Sequence, residues 1–138
     1  MHAIRNWGLA LAAGVAIGVV AGGDRPVPAA PAAGPMIGHM VYFTLTDNSP
    51  AKVHELVGAC EKYLSKHPGE AYFATGPRAK TPDRNVVVKD WDVALHIVFK
   101  TMADYERYAD APRHKQFIDE NKANWKQVRV FDSELAPK

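Results

Sequence analysis

From Trp91 to Lys100 the chain alternates without interruption, with Val93, Leu95, Ile97 and Phe99 on one side and Asp92, Ala94, His96 and Val98 on the other. A period of two is that of a β-strand, and so regular a run predicts a strand whose first face lies against a core. The second face holds a single charge among apolar neighbours, which makes it a poor surface to leave in water. The segment therefore belongs inside a sheet, paired on both edges and covered on both faces. Gly38 to Thr46 repeats the pattern, with His39, Val41, Phe43 and Leu45 facing one way and Met40, Tyr42 and Thr44 the other, until Asp47-Asn48-Ser49-Pro50 turns the chain.

Between and after these strands the spacing changes to that of helices. Ser49 and Pro50 open a helix whose apolar positions are Val53, Leu56, Val57, Cys60 and Leu64, and His67-Pro68-Gly69 ends it. Glu70 to Thr75 reads as a short strand, and residues 76–90 as a loop or irregular hairpin around Val86-Val87-Val88. Thr101 and Asp104 have capping-box spacing and open a short helix through Tyr108; Pro112 opens another that bears His114, Phe117, Ile118, Asn121 and Trp125. Val128, Val130 and Phe131 begin a last strand. The order predicts an α+β fold, the ferredoxin-like β-α-β-β-α-β arrangement, with a four-stranded antiparallel sheet covered by helices on one face. The uncovered face then shows Met40, Tyr42, Ala94, His96 and Val98. A second copy packed sheet to sheet by two-fold symmetry covers it economically, so the patterning predicts a homodimer, a dimeric α/β barrel.

Composition divides the chain near Pro35: of ten prolines four lie in residues 26–35, and of ten glycines six lie in residues 1–34. Arg5 precedes a charge-free run from Trp7 to Gly23, the layout of a signal peptide or an N-terminal membrane anchor over residues 1–23. At 1.5 Å per residue the run reaches about 25 Å, slightly short of a bilayer core, so spanning is marginal. Residues 24–35 read as a Pro/Ala-rich linker and 36–138 as the domain. The expected location is exported, periplasmic or extracellular, or membrane-anchored and facing outside the cytoplasm, with membrane contact only through an uncleaved N-terminal segment. Seventeen Lys and Arg against fifteen Asp and Glu, interspersed, form no basic stripe and exclude a nucleic-acid partner. One cysteine rules out a disulfide framework, and Cys60 on the buried stripe of its helix reads as packing.

Ile37-Gly38-His39-Met40-Val41-Tyr42-Phe43, the strand Asp92-Val93-Ala94-Leu95, the segment Tyr108-Ala109-Asp110-Ala111-Pro112-Arg113-His114 and the closing Val130-Phe131-Asp132 resemble the Dabb family of stress-responsive dimeric α/β-barrel proteins. The resemblance covers nearly all of residues 36–135. It implies dimers of ferredoxin-like subunits, in a family that includes a plant polyketide cyclase and plant stress proteins. It places that cyclase's essential histidine and tyrosine at His114 and Tyr108, and a further pocket histidine at His39. Two of the cyclase's other histidine positions are occupied by Ala111 and Val93.

Read from the residues, His114 sits in the first turn of its helix, where the dipole disfavours the imidazolium and leaves a neutral base. Tyr108 is placed to hydrogen-bond a substrate carbonyl oxygen. Together they are minimal equipment for proton removal beside a carbonyl, with no cofactor required. His39, Val41, Phe43, Val93, Leu95 and Phe117 are expected to line the pocket between sheet and helices. No metal site is expected: His2 lies in the N-terminal segment, His54 and His67 are expected on exposed positions, and no two histidines have ligand spacing on one helix. Two functions remain open. The first is a module that binds a small apolar or carbonyl-bearing molecule; the second is a cofactor-independent, cyclase-like or monooxygenase-like enzyme that uses His114 and Tyr108 for proton transfer.

Overall fold

The structure is a computed structural model that describes residues 34–136. The expectations for residues 1–23, and for the linker up to residue 33, lie outside the described residues. Eight elements follow in order: β1 (Met36–Leu45), α1 (Pro50–Leu64), β2 (Glu70–Pro77), β3 (Val93–Phe99), α2 (Met102–Asp110), α3 (Pro112–Asn121), a 3₁₀ turn (Lys122–Asn124) and β4 (Trp125–Leu135). The sheet order is β2-β3-β1-β4, and each neighbouring pair is antiparallel. This is the ferredoxin-like arrangement that the patterning predicts, with β3 paired on both edges.

Local chemistry explains the boundaries. Ser49 stands at the α1 N-cap but makes no capping bond of its own. Asp47 does the work instead, its Oδ1 accepting the Ser49 N–H at 3.0 Å, while Asn124 brackets the turn by accepting from Asp47 N at 2.8 Å. At α2 the Thr101 hydroxyl accepts from Asp104 N at 3.1 Å and donates to Asp104 Oδ2 at 2.8 Å, a reciprocal cap with Asp in place of Glu. Ala111 ends α2 and caps α3, and Pro112 occupies the first turn, where its missing N–H is not needed. Three boundaries differ from expectation. β3 begins at Val93 and not Trp91, because Trp91 and Asp92 are held by the preceding loop. β2 runs on to Pro77. Trp125 opens β4 and does not belong to α3, because the 3₁₀ turn interrupts the helical period after Asn121.

The core lies between the sheet and the helices. Val93, Leu95, Ile97 and Phe99 of β3 are completely buried, beside Val41, Phe43 and Leu45 of β1 and Leu56, Cys60, Tyr63 and Leu64 of α1. Each fully buried Leu, Val, Ile or Phe contributes about 1.5–3 kcal/mol, so this face anchors the fold. Met40, Tyr42, Ala94, His96 and Val98, the residues expected at a dimer interface, lie on the opposite face and are only half-buried. Phe131 of β4 joins them at 54% exposure. Among the described residues none closes that face. Among the described residues no helix is long and apolar enough to cross a membrane.

Candidate functional site

Antiparallel register puts His39 of β1 directly opposite Asp132 of β4, ninety-three positions away, on the helix-covered face. His39 Nδ1–H donates to Asp132 Oδ1 at 2.6 Å, and Tyr105 of α2 donates its hydroxyl to Asp132 Oδ2 at 3.1 Å. One carboxylate thus holds an imidazole and a phenol together. Because a carboxylate accepts, Nδ1 of His39 carries the hydrogen and Nε2 is left with its own hydrogen-bonding capacity.

His114, on the first turn of α3, is fixed in the same manner by a different partner. Its Nδ1–H donates to the carbonyl of Ala109 at 3.0 Å, across the break between α2 and α3, so its Nε2 carries the lone pair. Burial holds the imidazole pKa below its ordinary value, opposed by the Ala109 carbonyl and reinforced by His39, His67 and Lys115. The base is neutral at neutral pH, and burial is the largest cause.

Both histidines line one cavity of about 240 Å³. β1 contributes His39, Val41 and Phe43; β4 contributes Val128 and Val130; β3 reaches it only through Leu95; α2 and α3 contribute Tyr105, Tyr108, His114, Phe117 and Ile118, with Leu64 and Trp125 completing the wall. From His39 to Phe43 the strand advances about 13 Å, so the cavity is polar at the His39 end and aromatic at the Phe43, Phe117 and Trp125 end. No Lys, Arg, Asp or Glu is among its lining residues. Val93 is a correction: it is buried but does not line the cavity, which runs along β1 and β4 under α2 and α3.

Tyr108 is the second correction. Its ring lines the cavity, yet its hydroxyl is completely buried and has no hydrogen-bond partner. A hydroxyl that a water molecule cannot touch cannot meet a substrate oxygen in this conformation. The ring is instead a packing post, with centroids 4.6 Å from His114, 4.9 Å from His67, 4.9 Å from Phe99 and 5.8 Å from His39. Burial raises the phenol pKa, with Cys60, Glu70 and Tyr105 adding to it. Tyr105 is the phenol at the polar end, also held protonated by burial and by Asp132. His67, expected on an exposed position, is 7% exposed, and its Nε2–H donates to the Tyr63 carbonyl at 3.0 Å. The strand period contains the signal for Asp132, since Val128, Val130 and Asp132 alternate onto one face. Tyr105 has no such signal, because its reach to β4 depends on how α2 lies on the sheet. Among the described residues no group of three or more His, Cys, Asp or Glu could hold a metal ion.

Comparison with known proteins follows the same outline. A family model described as the stress responsive A/B barrel domain, Dabb, matches residues 37–135. A Dabb family protein with a ferredoxin-like fold from Mesorhizobium loti is 25% identical, with a TM-score of 0.62 over 75% of this chain and 99% of that one. A dimeric ferredoxin-like protein from Thermobifida fusca is 19% identical, with a TM-score of 0.61 over 74% of this chain and 92% of that one. A hydroxynitrile lyase from Passiflora edulis is 15% identical, with a TM-score of 0.60 over 75% of this chain and 96% of that one. The last two show a shared fold alone. No curated protein matches the sequence.

Proposed function

The chain belongs to the Dabb family of stress-responsive A/B barrel domains, and on that premise we propose that it acts as a homodimer binding a small, uncharged, mostly apolar molecule with a carbonyl or hydroxyl group. The observation that carries this reading is the make-up of the 240 Å³ cavity, with apolar walls, no charged lining residue, and His39, His114 and Tyr105 gathered at one end. Such a site rewards an apolar body and aligns one polar group. Dimerisation is supported by the half-buried apolar outer face and by dimeric relatives of the same fold. Export or anchoring outside the cytoplasm is supported by Arg5 and the charge-free run from Trp7 to Gly23; sequencing the N-terminus of the protein recovered from its own cells tests it, and a cytosolic full-length chain would refute it.

A second reading, proton transfer on the bound molecule, is favoured by one observation: both histidines have Nδ1 tied to an acceptor, which presents Nε2 of His114 as a neutral base. Both readings are tested by titrating a panel of aryl and alkyl ketones deuterated beside the carbonyl into the full chain, following tryptophan fluorescence and deuterium loss by NMR. Saturable binding weakened by His114→Ala is expected, with washout lost in that variant. Equal binding by parent and His114→Ala would remove this cavity as the site. Binding without washout decides for the non-catalytic module.

A further inference from the structure

Residues 78–92 join β2 to β3, and their base is firmly tied. Arg78 N–H donates to the Asp92 carbonyl at 2.9 Å and its Nε to the Trp91 carbonyl at 3.0 Å. Asp92 N donates to the Phe43 carbonyl at 2.8 Å, and Thr44 donates its hydroxyl to the Asp90 carbonyl at 2.6 Å. Arg129 of β4 grips the Asp90 carboxylate with both terminal nitrogens, at 2.7 and 3.2 Å. Trp91 stands edge-on to Tyr42 at 5.0 Å. The base is therefore rigid and sits on the outer face of the sheet.

The tip is different. It carries three consecutive valines, of which Val86 is 85% and Val88 58% exposed. With Trp91 they border a cleft of about 480 Å³ on the outer face, together with Met40, Tyr42, Phe131 and Arg129, the last of these engaged with Asp90. An exposed valine tip beside a mostly apolar cleft is a surface suited to a partner and poorly suited to water. That cleft is continuous with the face assigned above to the second copy, and a two-fold interface brings the same patch of each subunit against the other.

We propose that the 78–92 loop is a dimer clasp, the valine tip of each copy closing over the outer sheet face of its partner. The inference rests on the homodimer reading and adds to it that this loop, besides the flat sheet face, sets the strength of association. The pocket between sheet and helices is untouched by it.

Sedimentation equilibrium of the full chain tests the clasp, with three proteins compared: the parent, Val86→Asp/Val88→Asp, and Phe131→Asp in the cleft. The clasp predicts that the double variant keeps the parent's circular dichroism and has a dimer Kd raised at least tenfold. A double variant that associates as tightly as the parent, alongside a weakened Phe131→Asp, overturns the clasp and leaves the dimer face standing. A monomeric parent, or a Phe131→Asp protein as dimeric as the parent, overturns the dimer face and the clasp with it. A photocrosslinker on Val86→Cys in a mixture of isotope-labelled and unlabelled chains gives a readout that needs no folded double variant. Crosslinks between labelled and unlabelled peptides are expected, and crosslinks confined to one chain refute the clasp.

Discussion

Replacing His114 by phenylalanine should cost stability at neutral pH and cost less as the solution is acidified. Near pH 7.5 the loss is that of one hydrogen bond, from Nδ1–H to the Ala109 carbonyl at 3.0 Å, with a ring of similar size keeping the contact to Tyr108. Such a bond contributes about 1 kcal/mol net. The pH dependence comes from the imidazole itself. Burial lowers its pKa in the folded protein from the ordinary 6.5, so the unfolded chain binds more protons at mildly acidic pH. A group lowered in this way contributes stability that is present above 6.5 and is lost as the pH falls below it. One proton carries at most about 1.4 kcal/mol per pH unit. His114 is only partly buried, and solvent screening keeps the loss below that ceiling. Phenylalanine loses nothing on this account. Urea unfolding of the full-length pair at pH 7.5 and 5.5 should therefore show a gap of about 1 kcal/mol at the higher pH that is smaller at the lower. A gap that holds constant or widens on acidification would refute the claim that burial governs this imidazole.

Three further outcomes follow from particular contacts. Tyr108→Phe removes a buried hydroxyl that has no partner, so urea denaturation should show unchanged or raised stability, by up to about 1 kcal/mol, and ketone binding should persist; lost binding with intact fold would restore the hydroxyl to the site. Gly69 has φ of +84°, and a Cβ there overlaps the Asp104 side chain that completes the Thr101 cap. Gly69→Ala should lower the unfolding free energy by about 2–3 kcal/mol, and a variant as stable as the parent would contradict this geometry. The Cys60 thiol, completely buried, is pushed up to about 12 by desolvation, so iodoacetamide at pH 8 should leave the native protein unmodified and label it only on unfolding; mass spectrometry showing prompt native labelling would sink that expectation.

The order of strands and α-helices, the two faces of β1 and β3 and the opening of each α-helix were legible along the chain, because each depends on neighbours a few residues apart. Alternation from Val93 to Phe99 and from His39 to Leu45 specifies which side chains turn inward, and the Thr101, Pro50 and Pro112 signals place helix starts within a residue. The resemblance pointed to His114 as a catalytic candidate and to His39 as a pocket residue, and both side chains border the one cavity. The pairings that give those residues their chemistry were not legible. His39 meets Asp132 only because β4 lies beside β1 in one register, and Tyr105 reaches that carboxylate only because α2 crosses above both.

Sequence by itself determined a half-buried four-stranded sheet with helices on one side, since periodicity and capping are local properties of the covalent chain. Tertiary structure alone decided that Tyr108 buries its hydroxyl, that His67 turns inward, that Val93 misses the cavity and that the exposed valines at 86 and 88 border the outer-face cleft. Those outcomes depend on distances between elements far apart in the chain, set by how whole helices and loops settle on the sheet, and no repeat along the sequence encodes such a distance.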